Sequence, residues 1–107
     1  RSPINDGHTL VIPRTHAETI FDIAEEDMVA TIRLARRVAA GIRNGLRPDG
    51  LNLLQNSGAA AFQSVPHFHL HLIPRWKDDG KGFAWDLAPG NPGRMRDAAE
   101  KIRAALR

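Results

Sequence analysis

Apolar side chains recur along residues 25–46 at alternating spacings of four and three, which is the pattern of one face of an amphipathic helix. The positions on this face are Met28, Ile32, Ala35, Ala39, Ile42 and Leu46. Three consecutive acidic residues begin the segment, where they suit the positive end of a helix dipole. Gly45 and the Pro48-Asp49-Gly50 turn end the pattern. The sequence therefore predicts a long helix from about Glu25 to Leu46.

Three shorter segments have the apolar content and the bounding turn residues of β-strands. They are His8–Ile12, Leu51–Asn56 and Val65–Ile73, and Pro13 and Pro74 close the first and the third. Apolar positions on one side of residues 94–106 predict a C-terminal helix. The order strand, helix, strand, strand, helix is typical of an α+β domain with an antiparallel sheet.

Glycine and proline are frequent from Lys77 to Gly93, which predicts an irregular loop. This loop contains two aromatic residues, Phe83 and Trp85. We expect Trp85 to lie in the core or at a dimer contact rather than against a ligand.

Length and composition describe an ordinary folded protein of 107 residues, 42% hydrophobic and 25% charged. This length supports one core, so we expect a single domain over residues 1–107. Apolar stretches are far shorter than the roughly 20 residues of a membrane-spanning helix, so no membrane partner is expected. The absence of cysteine excludes disulfides, and the lack of a secretory pattern predicts a cytoplasmic location.

The net charge of +3 favours phosphate-bearing ligands only weakly. Four arginines, Arg33, Arg36, Arg37 and Arg43, lie along the predicted long helix and Arg47 directly follows it, but no stacking aromatic side chains alternate with them. A solvated helix face explains these arginines better than a nucleic-acid track, so no nucleic-acid partner is expected.

Candidate chemistry is concentrated in the segment His67-Phe68-His69-Leu70-His71-Leu72-Ile73-Pro74. On a strand, alternate side chains share a face, so His67, His69 and His71 are predicted to point one way and the apolar residues into the core. If the His8 strand lies beside this one, His8 joins them. A row of imidazoles does little for stability, because stacked like charges repel when protonated.

Two chemistries compete for these histidines. Two of them at positions i and i+2 can share a zinc ion, but the first and third are separated by roughly 13 Å along a strand. Without cysteine or a carboxylate at fixed spacing, we expect no metal. Nucleophilic catalysis fits better, because a neutral imidazole with an ordinary pKa of about 6.5 is a competent nucleophile near pH 7.

The same segment resembles the H-x-H-x-H signature of the histidine-triad (HIT) nucleotide hydrolases. Three further stretches are similar to this family: Gly7-His8-Thr9-Leu10-Val11-Ile12-Pro13 with His16 after it, Asn52-Leu53-Leu54-Gln55-Asn56-Ser57-Gly58, and Gln63-Ser64-Val65-Pro66. His71 resembles the hydrolase branches, since the transferase branch has Gln at that position. His16 corresponds to a position that binds zinc together with cysteines in some bacterial relatives, and this chain has no cysteine.

The resemblance implies a role for each matching residue. His69 would attack the α-phosphorus of a purine nucleotide derivative and form a nucleotidyl-histidine intermediate. His67 and His71 would hold phosphate oxygens and orient His69, while His8 would join the histidine network that manages the leaving-group proton. The remaining candidates, Asn56, Gln63 and Ser64, would hydrogen-bond the phosphate or leaving group, although Gln63 and Ser64 are equally well explained as polar loop residues. No cofactor is implied.

The resemblance also implies a homodimer and a five-stranded sheet in each subunit. A helix and two strands normally precede the Gly7 strand in this family, with an aspartate that binds the ribose. This sequence has no counterpart of that aspartate, so we expect an N-terminally incomplete domain of a bacterial member, whose ribose and base pocket is unfinished.

Three functions stay open at this stage. The leading one is hydrolysis of a nucleoside phosphoramidate or a dinucleoside polyphosphate. Phosphorolysis of a dinucleoside polyphosphate is the second, and nothing in the sequence separates it from the first. A nucleotide-binding sensor or adaptor without turnover is the third, against which the intact triad argues, because a pure binder does not need His69.

Overall fold

The computed structural model describes residues 3–82 and 87–106, so the expectation for Trp85 lies outside the described residues. Along the chain it contains β1 (Thr9–Val11), α1 (Glu25–Leu46), β2 (Gly50–Leu54), a short 3-10 helix (Ala59–Ala61), β3 (Leu70–Arg75) and α2 (Pro92–Ala105). The α+β class and the order of elements are confirmed. Neither α1 nor α2 combines the length and the apolar content that crossing a bilayer requires.

Helix α1 begins and ends where the sequence pattern predicts. Its buried positions are Thr31, Ala35 and Ile42, whereas Ile32 is 43% exposed. The packed face is therefore rotated slightly from the predicted apolar stripe. Gly45 lies inside the helix and does not end it. The last turn stops at Arg47, whose left-handed backbone (φ 53°) lets its N–H donate to the Arg43 carbonyl.

The sheet is antiparallel, with strand order β1-β3-β2, so β3 is central. Val11 pairs with Leu70 on one side, and Leu53 pairs with Leu72 on the other. The core lies between the sheet and α1 and consists of Val11, Ala35, Ile42, Phe68, Leu70 and Leu72. Strand β2 ends at Leu54, so Asn56 follows the strand instead of belonging to it.

Strand β3 differs from the prediction at both ends, because it starts at Leu70 and continues through Pro74 to Arg75. The register places Gly7 opposite Pro74, and a Cβ on Gly7 would come within 2.6 Å of the proline ring. The lack of a side chain on Gly7 therefore leaves room for the proline ring within the central strand. At the other end, Pro13 and Pro66 lack the N–H groups that would continue the ladder before Leu70.

Helix α2 is capped by Asn91, whose side-chain oxygen accepts from the Arg94 N–H. None of its described residues is buried. The apolar side chains predicted for one side of this helix remain largely exposed, with Met95 and Ile102 each at 61%.

Candidate active site

Pairing of β1 with β3 brings His8 next to His71, because Leu10 lies opposite His71 and His8 just precedes β1. Nε2 of His8 lies 2.9 Å from Nδ1 of His71. The His71 ring in turn contacts the ring of His69 edge to face, with centroids 4.7 Å apart. The predicted neighbourhood of these three histidines is therefore present.

The protonation sites within this group follow from its hydrogen bonds. Nδ1 of His8 accepts from the Ile4 N–H at 3.0 Å, so the proton of a neutral His8 lies on Nε2 and is donated to His71. Nδ1 of a neutral His71 is then the acceptor, and its own proton lies on Nε2.

His69 is 4% exposed and lies just before β3, where its ring is oriented by the main chain. Nδ1 lies 2.6 Å from the carbonyl oxygen of His67. A carbonyl only accepts, so Nδ1 bears the proton and Nε2 has a lone pair. Nε2 has no hydrogen-bond partner among the described residues. Every fully buried side-chain nitrogen or oxygen of those residues does have a partner, so Nε2 of His69 is in contact with solvent.

His67 does not lie on the strand, and the predicted common face of three histidines is wrong at this position. It belongs to a bend held from both sides: its N–H donates to the Val65 carbonyl at 2.8 Å, and the Phe68 N–H donates to the Ala17 carbonyl at 2.6 Å. The fully buried Phe68 side chain fixes the same point in the core. The His67 ring turns towards the Pro13–Ala17 loop and not towards His69.

Sequence reasoning left out the partner of His67 in this loop. Nδ1 of His67 lies 3.2 Å from Nδ1 of the exposed His16, and its Nε2 lies 3.3 Å from the Pro13 carbonyl. His67 therefore donates to Pro13 and accepts from His16. The His16 contact spans 51 residues. Neither the position of His16 three residues after Pro13 nor its correspondence to a zinc-binding position of relatives indicated His67 as its partner. Within residues 3–82 and 87–106, no group of three or more histidines or carboxylates is arranged to hold a metal ion.

The three predicted phosphate-binding residues are not all brought together. Gln63 and Ser64, with Val65 and Pro66 after them, line a pocket of about 270 Å³. Two other segments complete the lining, with Glu18 and Thr19 from one and Gly58 and Ala59 from the other. Asn56 is half-buried and is not part of this lining. The carboxamide of Gln63 already bonds to main-chain groups. The carboxamide of Asn56 and the hydroxyl of Ser64 make no hydrogen bond to another described residue.

The far end of β3 is organised by an ion pair. Arg75 binds Asp79 through two contacts, Nε to Oδ2 at 2.9 Å and Nη2 to Oδ1 at 3.0 Å. Its Nη1 donates to the Asn52 side chain and its Nη2 also to the Lys81 carbonyl. The hydrogen bonds from Arg75 hold the pKa of the Asp79 carboxyl well below its usual range, and Asp79 raises the pKa of Arg75 in turn.

Comparison with known proteins gives one consistent result. Residues 1–78 match the model of the HIT domain. The chain is 44% identical to "Protein hit" of Bacillus subtilis over 85 residues, which are 78% of this chain and 59% of that protein. It is 32% identical over 107 residues to the adenosine 5'-monophosphoramidase hnt1 of Schizosaccharomyces pombe, covering 99% of this chain and 77% of that protein.

The fold agrees with the same assignment. A crystal structure of a HIT family protein from Bacillus anthracis superposes with a TM-score of 0.85 at 36% identity, covering 96% of this chain and 75% of that one. The sequence resemblance, the arrangement of the histidines and the fold lead to one conclusion. This chain belongs to the HIT domain family.

Proposed function

We propose that the protein is a hydrolase of purine nucleotide derivatives, such as nucleoside phosphoramidates or dinucleoside polyphosphates, that reacts at the α-phosphorus through a nucleotidyl intermediate on His69. The observation that supports this most directly is the 2.6 Å contact between Nδ1 of His69 and the carbonyl of His67. It fixes the tautomer in which Nε2 is unprotonated, and an unprotonated, solvent-accessible imidazole nitrogen is what a histidine nucleophile requires.

The first chemical step forms a bond between Nε2 of His69 and the α-phosphorus and breaks the bond to the leaving group. The ring becomes positively charged, because Nδ1 retains its proton. The hydrogen bond to the His67 carbonyl then becomes charge-assisted and stronger in the transition state than in the ground state. Water attacks the phosphorus in the second step, releases the nucleoside monophosphate and restores His69.

The leaving amine or phosphate needs a proton, and the His8–His71 pair is the candidate to manage it. His71 is in ring contact with His69, and its Nδ1 is bonded to His8. A pair that holds one extra proton can give the Nε2 proton of His71 to the leaving group, which returns the pair to the neutral arrangement in which His8 donates to Nδ1 of His71 at 2.9 Å. The water that attacks in the second step gives a proton back to the pair. We assign the phosphate oxygens to Asn56 and Ser64, because both ring nitrogens of His67 are engaged by Pro13 and His16.

The relatives support the substrate class. The fission-yeast relative is named as an adenosine 5'-monophosphoramidase, and so is the relative from Saccharomyces cerevisiae, which is 38% identical over 81 residues. The chain spans only 59% of the Bacillus subtilis relative, so activity and substrate stay proposals for the whole protein.

Replacement of His69 is the decisive test of this mechanism. His69→Asn removes the nucleophile, so kcat on adenosine 5'-phosphoramidate is expected to fall by roughly a thousandfold or more, while AMP still binds through its other contacts. Acid or denaturant quenching of the wild-type reaction should leave one nucleotidyl group on the peptide containing His69. A folded His69→Asn protein, free of wild-type enzyme, that turns over within about tenfold of the parent overturns the mechanism.

We also propose that the protein forms a homodimer. Apolar side chains of α1 and β2 that are about 40–50% exposed support a covered surface here, namely Val29, Ile32, Leu51 and Leu53. Light scattering at micromolar concentration is expected to give twice the chain mass of 11.8 kDa. A monomer throughout that range contradicts the proposal.

A further inference from the structure

Gln63 uses both ends of its carboxamide within the protein. Its Oε1 accepts from the Gly58 N–H at 2.7 Å. Its Nε2 donates to two carbonyl oxygens, that of Glu18 at 2.6 Å and that of Val65 at 3.0 Å. Both N–H groups of the amide are therefore used, and little capacity is left to donate to a phosphate.

The Val65 carbonyl connects Gln63 to His69. It accepts from Gln63 and also from the His67 N–H, and that second bond forms the bend at residues 65–67. The carbonyl of His67, on the far side of this bend, is the acceptor for Nδ1 of His69. The direction in which His67 presents its carbonyl depends on the bend, and the bend is held through Val65 by Gln63.

Gln63 also joins the bend to the loop that faces it. The Glu18 carbonyl is one residue from Ala17, whose carbonyl accepts from the Phe68 N–H. The bend is thus held to residues 17–18 at two points, one through Gln63 and one directly through Phe68.

From these contacts we propose that Gln63 is a positioning residue for His69, acting through Val65 and His67, and not a phosphate ligand. The proposal rests on the function proposed for His69. A positioning residue affects how often Nε2 is aligned for attack, so its loss lowers kcat. A phosphate ligand affects ground-state binding as well, so its loss raises KM and weakens AMP binding.

Two variants of Gln63 remove different sets of its three hydrogen bonds. Gln63→Met keeps a side chain of similar length and removes all three hydrogen bonds. Gln63→Glu keeps the bond from Gly58 but turns a carboxylate towards two carbonyl oxygens. Ser57→Ala is the matched control: the Ser57 hydroxyl accepts from the Ile20 N–H, so it also joins the 57–64 loop to the segment after Glu18, but it does not touch the bend.

We expect both Gln63 variants to lower kcat on adenosine 5'-phosphoramidate about ten- to a hundredfold, with KM and the Kd for AMP within about threefold of wild type. Ser57→Ala should keep kcat within about twofold. Nitrogen-15 NMR of the imidazole rings should show His69 protonated at Nδ1 in the wild type and in Ser57→Ala, and a mixture of tautomers in the Gln63 variants.

The two proposals fail in different ways. If wild type and His69→Asn have equal turnover, the proposed function fails, while the NMR experiment still tests the role of Gln63 because it needs no turnover. If kcat is unchanged in folded Gln63→Met, or if AMP binding weakens tenfold with unchanged kcat, the positioning role is wrong. Should Gln63→Met not fold, Gln63→Glu gives the same decision, because it retains the bond from Gly58.

Discussion

The two ends of β3 use polar side chains in opposite ways. Near its start, His69 has one ring nitrogen bonded to the main chain and the other open to solvent. At its end, Arg75 distributes its guanidinium over Asp79, Asn52 and the Lys81 carbonyl. His69 directly precedes the strand and is buried, whereas Arg75 is its last residue and is partly exposed. The difference that bears on function is that His69 keeps one ring nitrogen available to a ligand.

This difference separates residues that can react with or bind a ligand from residues that stabilise the fold. A side chain that uses most of its hydrogen-bonding groups within the protein, as Arg75 and Gln63 do, fixes the main chain around it. A side chain that is held firmly by one atom and leaves another available, as in His69, is prepared for reaction. Substitutions at the start of β3 should therefore change turnover, and substitutions at its end should change stability.

Among the variants that compare the two ends of β3, His71→Asn should cause the largest loss of kcat. It removes both the contact with His69 and the acceptor for His8, so kcat on adenosine 5'-phosphoramidate should fall about a hundred- to a thousandfold. The urea midpoint should change little, because His71 is only half-buried. His16→Asn is the control on the loop, where an exposed imidazole is lost and kcat should stay within about tenfold. Equal losses in the two variants would remove the distinction between strand and loop histidines.

Arg75→Met should have the reverse profile. It removes every bond that ties the 76–81 turn to β3 and to Asn52, so the urea midpoint should fall. Without urea, at a temperature where the variant is folded, kcat should lie within about twofold of wild type, because the side-chain hydrogen bonds of Arg75 go to Asp79, Asn52 and Lys81 and not to a histidine. A tenfold loss of kcat in the folded variant would show that the far end of the strand is coupled to the site.

Much of the fold could be predicted because local patterns determine it. The bounds of α1 follow from a repeated apolar spacing and an acidic first turn. The pairing of the His8 strand with the triad strand was only a condition in the sequence analysis, and the structure contains it. The start of β3 could not be predicted in this way. Polar and apolar residues alternate from His67 onward, but Pro13 and Pro66 remove N–H groups that a ladder needs before Leu70.

The candidate site was predictable in its residue types but not in its partners. His69, His71 and His8 lie together as expected, whereas the His16–His67 contact depends on how a loop folds across 51 residues. The sequence likewise could not show that Gln63 bonds to carbonyls of Glu18 and Val65, since a glutamine in a loop is equally able to face a phosphate. Asn56 and Ser64 remain predicted phosphate ligands.

The smallest expected effect is a change in how stability depends on acid pH, and it comes from Asp79 at the end of β3. Arg75 keeps the pKa of this carboxyl depressed in the folded protein, whereas an unfolded chain has an ordinary aspartate pKa of about 3.9. The unfolded state therefore takes up a proton first as the pH falls. The contribution of Asp79 to stability is fully present above about pH 4 and declines as the pH falls from there towards the folded pKa. The Asp79→Asn variant lacks this pH-dependent contribution to stability, because asparagine does not titrate.

We accordingly expect urea midpoints measured between about pH 5 and pH 2.5 to fall less steeply with acidification in Asp79→Asn than in wild type. The ion pair is close to solvent, so salt should reduce the difference. Asp97→Asn is the control, because its carboxyl has no ion-pair partner among the described residues and its replacement should leave the slope unchanged. If the urea midpoints of wild type and Asp79→Asn fall equally steeply with pH, the Arg75–Asp79 pair does not persist in solution. The structural role assigned to the end of β3 would then be wrong.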